Sequence, residues 1–570
     1  MYIIADAETK DPNIDNRSWP MNECVPLGFA LLSEDRQYSG YYTDMELVLE
    51  IISHYDTIIC HNLQYDCGIL TMLGYDIYKH TLIDTMNLAF LYKSTDFRSL
   101  ELLAKKYVNF EKKNDKLVKL AAELKEREIE PFYTSRKNPL KLIKQNMDLA
   151  QEYDYDVIEE YALADVEATE LLYKFYIDNI ETPLRIDFYS DLLKCMIKCR
   201  SKGVPVNINS SDELLDNLKI EIDSYKKKAF EIAGREFSLT ASDDFRHVID
   251  SLGIKCKLSE KTNKILCDKP FMESNPHPIF QNILQYRKLN NIWKRIKTEW
   301  PESIKDNKMH PQQVIFGAKT GRPSGKKPNI FNIPRRDEVA GPICRSIFVA
   351  PPGKDWFCAD YSTQEPRIAI HLSYKLGLDG VEQFVDAYHD NPKFDLYEPI
   401  SIACFGAYSK KNRDVAKVVL LAYLYGRGAP NMAAQLGITV DEAKYLKIKF
   451  GKKFPFLPQL NEKIKETVQE KGYIMTLGKR RVYQGQEPDY KMINFAIQGG
   501  AADQTYAAMV ALYQSDIDIL FNVYDEIDGL IPSGNLDKVE EIRYIMETST
   551  KLVIPSSVDI KIGKTWAECK

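Results

Sequence analysis

No apolar run in this sequence approaches the roughly 18–20 residues that a membrane-spanning helix needs, so a bitopic or polytopic helical membrane protein is not expected. Asp6, Glu8 and Lys10 interrupt the start of the chain, which leaves no apolar core for a secretory signal, and a cytoplasmic protein is expected. The eleven cysteines are odd in number and contain no Cys-x-x-Cys pair. That pattern fits free thiols in a reducing compartment and argues against a disulfide framework or a zinc site. A positive balance is missing too: 76 Lys and Arg face 82 Asp and Glu, a formal net charge of −6. A protein that coats nucleic acid along its whole surface is therefore not expected.

What is present begins with size. At 570 residues the chain exceeds one hydrophobic core, so several domains are expected, and 44% hydrophobic with 28% charged residues is a globular composition. Within the acidic whole lies a basic strip: between Pro311 and Arg336 the charged side chains are Lys319, Arg322, Lys326, Lys327, Arg335 and Arg336, with no acid among them. Such a strip can track phosphates.

The stretch Phe357 to Arg367 reads as an apolar strand, after the Pro351-Pro352-Gly353 break, that ends in Asp360 and runs into an amphipathic segment. A second acidic pair, Asp525-Glu526, sits between the apolar runs Ile517–Val523 and Ile527–Ile531, the pattern of a hairpin with its acids at the tip and facing away from a core. Two carboxylate-bearing strand ends on one sheet can hold two divalent cations about 3.5–4 Å apart, an arrangement suited to displacement at phosphorus. Oxygen ligands of this kind suit Mg²⁺.

Near the start, Tyr2 to Thr9 is a buried-strand pattern ending in Asp6 and Glu8, followed by strand-like Pro26–Leu32 and Gln37–Thr43, helix-like Met45–Tyr55 and strand Thr57–Cys60 ahead of Asn62 and Asp66. Strands followed by helices predict an α/β sheet with acids at its edge. Farther on, Tyr161 and Asp165 fall four apart on one helical face. The Lys- and Glu-rich segment 111–148 reads as a solvated helical insertion, and long helices follow from Arg185. Arg413, Lys417, Leu421 and Tyr425 lie at i, i+4, i+8 and i+12 of a helix ending at Gly426. Two cations on the early turns and an aromatic on the last match a nucleoside triphosphate laid along the helix.

These residues carry a resemblance. Asp360-Tyr361-Ser362-x-x-Glu365-x-Arg367 resembles motif A of the family A DNA polymerases, the bacterial polymerase I and phage replicase group, and Val523-Tyr524-Asp525-Glu526 resembles their motif C, with Tyr524 where His is usual. The Arg413–Tyr425 helix resembles motif B, with Leu421 where Phe or Tyr is usual and Tyr397 where a phosphate-contacting His stands. Thr320-Gly321-Arg322-Pro323-Ser324 and Pro328-Asn329-Ile330-Phe331-Asn332-Ile333-Pro334-Arg335 resemble the family's Thr-Gly-Arg-Leu-Ser and Pro-Asn-Leu-Gln-Asn-Ile-Pro segments, departing at Pro323 and Phe331. Asn494 and Gln498 begin a segment similar to the family's Asn-x-x-x-Gln-Gly-Thr-Ala-Ala-Asp helix, preceded by Tyr490 where Arg is usual and by a basic turn containing Lys479 and Arg480. In chain order, Asp6-x-Glu8, Asn62-x-x-x-Asp66 and Tyr161-x-x-x-Asp165 resemble the three motifs of a 3′→5′ proofreading exonuclease.

The resemblance implies α/β and α+β domains: a ribonuclease-H-like exonuclease domain at 1–180, a helical thumb at 181–310, a first part of an antiparallel-sheet palm at 311–375, helical fingers at 376–475 and a second part of the palm at 476–570. It implies template-directed primer extension with proofreading, two Mg²⁺ per active site with Mn²⁺ as the substitute, and primer–template DNA and dNTPs as partners. Asp360 and Asp525 would bind metal with Glu526 nearby, and Asp6, Glu8, Asp66 and Asp165 would bind the nuclease metals while Tyr161 orients water. Arg413, Lys417, Leu421, Tyr425, Tyr397 and Glu365 would meet the nucleotide; Arg322, Asn329, Asn332, Arg335, Lys479, Arg480, Asn494 and Gln498 would meet DNA. With no room for a 5′-nuclease domain, a phage-type replicase in a host cytoplasm is the expected setting. The alternative is a nuclease whose second half grips DNA without polymerising.

Overall fold

The computed structural model describes all residues except 12–23, 95–97, 112–113, 135–137, 183, 241–242, 256, 259–264, 267, 327 and 334–339. Two compact units result, one of residues 1–203, 310–331 and 357–561 and one of 204–309, 332–356 and 562–570.

The first unit opens with β1 (Tyr2–Lys10), β2 (Val25–Ser33), β3 (Ser39–Tyr42), α1 (Met45–Ser53), β4 (Thr57–Cys60), α2 (Gln64–Met72) and β5 (Thr81–Asp84). They make one sheet in the order β3-β2-β1-β4-β5. β1 to β3 pair antiparallel, whereas β1, β4 and β5 are parallel and are joined through helices, as the strand-then-helix pattern predicts. Ile3, Ile4 and Ala5 anchor β1 in the core. The register sets Glu8 against Gly28. A Cβ at Gly28 would meet the Tyr41 ring at 2.4 Å, so glycine is what lets that ring cross the sheet there.

The charged insertion folds as α3 (Asp115–Glu126), α4 (Pro139–Gln145) and α5 (Met147–Tyr153). Leu117, Leu120, Ala121 and Leu124 form the single buried stripe of α3, and the charges stay outside. The 25-residue α6 (Tyr155–Asn179) starts at Asp154, whose carboxylate accepts the N–H of Val157, and packs on β1 and β2. Helix α7 (Ile186–Lys202) ends at Gly203, whose φ of +74° no other residue adopts cheaply.

Next come the antiparallel pair β6 (Gln312–Val314) and β7 (Ser324–Lys326), then β8 (Lys354–Tyr361), α8 (Gln364–Lys375), α9 (Tyr397–Phe405) and α10 (Lys410–Leu424). Leu420, Leu424, Phe450 and Leu460 are buried in a helical core that includes α10. Helix α11 (Met492–Gln514) precedes the hairpin of β9 (Asp518–Val523) and β10 (Glu526–Pro532), and β11 (Val558–Gly563) completes a sheet in the order β9-β10-β8-β11. α11 lies close on its neighbours through Gly499 and Gly500, where a Cβ would come within 2.8 Å of Thr476 and 3.1 Å of Ile368.

The second unit pairs the long helices Asp212–Ala233 and Pro278–Lys294 over a core containing Phe245, Ile249, Phe280 and Ile283. Three short strands, Val204–Pro205, Lys308–Met309 and Ile304–Lys305, form its sheet. Stacked Trp356 and Trp566, centroids 6.3 Å apart, bring its last segment home.

Candidate functional site

Asp360 is the penultimate residue of β8 and Asp525 lies in the turn between β9 and β10. The N–H of Tyr361 donates to the carbonyl of Asp525 at 3.1 Å, so the two aspartates sit on touching backbone segments of adjacent strands. Both are half-buried. Tyr524 and Asp525 form a two-residue turn flanked by the Val523–Glu526 pair, and Tyr524 has φ of 61°. Glu526 is not at an exposed tip, as expected from the sequence, but 1% exposed. It is already the first strand residue of β10, and successive strand side chains point to opposite faces, so with Asp525 outward Glu526 turns in. There it joins Cys358 and Asp528, whose carboxylate accepts the Cys358 thiol at 2.7 Å.

The segment after Asp360 is tightly held. Ser362 N–H donates to the Ser557 carbonyl at 2.8 Å. The buried Arg367 donates to the carbonyls of Ser362 at 3.0 Å, Pro392 at 2.6 Å and Pro555 at 2.5 Å. One guanidinium thus ties the acid-bearing strand end to two other segments.

On α10, Arg413 and Lys417 share the Tyr397 ring, their cations 5.0 and 5.9 Å from its centroid. Arg413 also makes a bidentate pair with Asp395, at 2.7 and 3.3 Å. Tyr397 is buried and burial pushes its hydroxyl pKa up, so it stays neutral. Leu421 packs on the helical core, and Tyr425, the residue after the helix, hydrogen-bonds Glu365, which is also ion-paired with Arg322. Asn494 and Gln498 line a cavity of about 530 Å³ with Tyr425, Arg427, Tyr490 and Lys491. Gly426 is required beside it, since a Cβ would meet the Tyr490 carbonyl at 1.9 Å.

Across β1, α2 and α6, the carboxylates of Asp6, Glu8 and Asp165 offer oxygens within 4.8 Å of one another. Asp66 lies buried beneath them, accepts the Ala7 N–H at 3.0 Å, and has its pKa raised well above the carboxylate range by burial and then by the Asp6 charge. Tyr161 hydrogen-bonds Asp165, and burial, then the charges of Asp165, Glu8 and Asp6, push its pKa up. Hard oxygen donors this close fit a divalent cation such as Mg²⁺, and the acids at β8 and the β9–β10 turn offer the same donor type.

Residues 209–568, more than half of the chain, match the family model described as DNA polymerase family A. The chain belongs to the family A DNA polymerases. It is 28% identical over 404 residues to the thermostable DNA polymerase I of Thermus filiformis, covering 66% of this chain and 47% of that protein. It is 28% identical over 437 residues to DNA polymerase I of Lactococcus lactis subsp. lactis (strain IL1403), 71% and 48% respectively, and 28% identical over 382 residues to a DNA-directed DNA polymerase of Pseudomonas phage M6, 56% and 55%. The chain spans about half the length of the curated relatives it matches. In fold it is similar to the POL domain of Pol1 from M. smegmatis solved in complex with DNA primer-template and dNTP, with a TM-score of 0.77 over 100% of this chain and 95% of that one at 19% identity. No helix among the described residues is long and apolar enough to cross a membrane.

The residues expected at DNA differ in their accessibility. Arg480 is 3% exposed, paired with Asp503 at 2.5 Å and set against the Phe316 ring, so it serves the fold and not a phosphate. Lys479 beside it is exposed. Lys319 of the basic strip is paired with Glu487 at 2.6 Å. Asn329 caps the turn by accepting the Phe331 N–H at 3.1 Å, Asn332 is exposed on the second unit, and Arg335 lies outside the described residues. Asp84, not singled out in the sequence, accepts the N–H of Asn62 at 2.9 Å and holds that residue at φ of 69°. Its signal was an acid closing a strand just before a helix. Asp395, the partner of Arg413, has no comparable local signal.

Proposed function

We propose that this chain is a template-directed DNA polymerase with a 3′→5′ proofreading exonuclease, of phage-replicase type. In this reading residues 1–180 are a ribonuclease-H-like exonuclease domain, 181–310 the thumb, 311–375 and 476–570 the palm and 376–475 the fingers. The observation that carries it is the backbone contact between Tyr361 and Asp525, which sets two aspartates from distant parts of the chain at one strand edge. Asp360 and Asp525 would hold two Mg²⁺, and Asp6, Glu8, Asp66 and Asp165 a second pair. When bound, such ions lower the pKa of an attacking hydroxyl and neutralise the leaving group.

The chain's own residues do the rest. The primer 3′-hydroxyl gives up its proton to solvent and its oxygen bonds to the α-phosphorus as the α–β bridging bond breaks and pyrophosphate leaves. Arg413 and Lys417, held over Tyr397, place positive charge where the leaving phosphates gather it. Glu365, held by Arg322 and Tyr425, would exclude a ribose 2′-hydroxyl. Arg322, Asn494 and Gln498 would meet the minor groove, where the acceptors shared by A·T and G·C pairs report fit without sequence. In the nuclease half, Tyr161 orients the attacking water.

Primer extension with Mg²⁺ and four dNTPs tests this. Asp360→Ala should abolish extension and keep 3′→5′ degradation, and Asp6→Ala should do the reverse. Degradation without extension by the intact protein would instead assign a nuclease whose second half only grips DNA.

A further inference from the structure

Two of the departures from the family motifs are neighbours in space. Tyr524 stands where His is usual and Phe331 where the Pro-Asn segment has Gln. Their rings meet edge to face, centroids 5.3 Å apart with 71° between planes. The guanidinium of Arg322 lies over the Tyr524 ring, 5.3 Å from its centroid, while it is also ion-paired to Glu365. The Phe331 ring is wedged in turn: a Cβ at Gly325 would meet it at 2.6 Å. Neither burial nor turn preference accounts for Tyr524, since it is 39% exposed and holds φ of 61°, a region costly for a bulky side chain.

We propose that Phe331 and Tyr524 act as one aromatic pair that positions the Arg322 guanidinium over the β9–β10 turn that carries Asp525, and that the pair thereby sets how strictly the terminal primer–template base pair is checked for fit. The inference rests on the polymerase reading above. A guanidinium over an electron-rich ring is held by the ring quadrupole, and it loses that hold when the face is removed. Imidazole offers a smaller face and, once protonated, repels the guanidinium. An amide at 331 would leave the Tyr524 edge without its ring partner on Gly325. Each reversion alone therefore unseats Arg322, whereas both together exchange an aromatic pair for a polar one. Tyr524 and Phe331 are positioning residues: they act through Arg322.

A double-mutant cycle of Tyr524→His and Phe331→Gln tests this, in the wild-type chain and in Arg322→Ala. It is read as kcat/KM for extending matched and mismatched primer ends and as Kd for primer–template. Thermal melting confirms that every variant folds. Each single change should cost about tenfold in kcat/KM on matched ends and lower the matched-to-mismatched ratio, with the double variant clearly better than the product of the two losses. Tyr524→Phe, which keeps the ring, should stay near wild type. In Arg322→Ala neither change should alter the ratio further. Additive losses, a Tyr524→Phe variant as poor as Tyr524→His, or a ratio that still moves without Arg322 would each overturn the proposal. The Kd readout needs no catalysis: a wild-type chain that binds but never extends sinks the polymerase reading, while coupling in Kd still decides this one.

Discussion

Charged residues of one local pattern end in opposite roles here, and burial decides which. Arg480 looks like its neighbour Lys479 in sequence, yet its guanidinium is sealed between Asp503 and the rings of Phe316 and Phe90. Removing one partner of a buried pair strands the other charge, so Arg480→Ala should lose about 3–5 kcal/mol of stability. Thermal unfolding checks it; a melting temperature equal to wild type would return Arg480 to the list of surface contacts. Lys479→Ala should leave melting unchanged. Arg413 shows the same diversion on a half-exposed residue. The stripe Arg413–Lys417–Tyr425 was legible because helical spacing is local, but Asp395 was not, because its pairing from the loop ahead of α9 onto α10 is made only by packing. In the proposed polymerase a triphosphate would have to displace that carboxylate. An ion pair so exposed is worth about 0.2–1 kcal/mol, so Asp395→Asn should lower the KM for dNTP by up to about fivefold, and Arg413→Ala should raise it. Steady-state extension at varied dNTP measures both; a raised KM in Asp395→Asn would mean that Asp395 orients Arg413 and does not compete for it.

Strands and helices were legible wherever one period dominated. β1, β4 and the β9–β10 hairpin follow from short apolar runs that end in acids or turn residues, and α7 from an amphipathic run stopped by a glycine. The inward turn of Glu526 was not legible, because it depends on the loop having two residues and not three. A buried histidine between elements gives a further consequence. His80 is 3% exposed after β4 and α2; its Nδ1–H donates to the Tyr55 carbonyl at 2.8 Å and its Nε2 meets the Tyr75 hydroxyl at 2.8 Å. Burial lowers its pKa, so the folded state favours the neutral ring. A depressed histidine stabilises the fold above its unfolded pKa of about 6.5, and that contribution is lost as pH falls through the folded value. The urea midpoint should therefore drop between neutral pH and pH 5, and less steeply in His80→Gln. An equal slope in the variant would place the sensitivity elsewhere.

At the scale of the whole chain, the order of the motifs was readable, whereas the division into units was not. Each unit draws on separated segments, with 332–356 and 562–570 joining 204–309, and no composition shift marks those joins. The net charge of −6 was readable, and the structure concentrates part of it where Asp6, Glu8 and Asp165 face one another within 4.8 Å. Crowded carboxylates oppose the fold until a cation neutralises them. Two effects of opposite sign follow for Asp165→Asn. In EDTA the variant should melt above wild type, since one repulsive charge is gone. On adding Mg²⁺ the wild type should gain more, because a ligand that binds only the folded state stabilises it by about 2.7 kcal/mol at a hundredfold excess over Kd, and the variant binds more weakly. The two melting curves should thus converge or cross as Mg²⁺ rises. Parallel curves, with the variant lower throughout, would mean that these acids are satisfied by the protein alone, and residues 1–180 would then lack the ion site that the proposed nuclease chemistry needs.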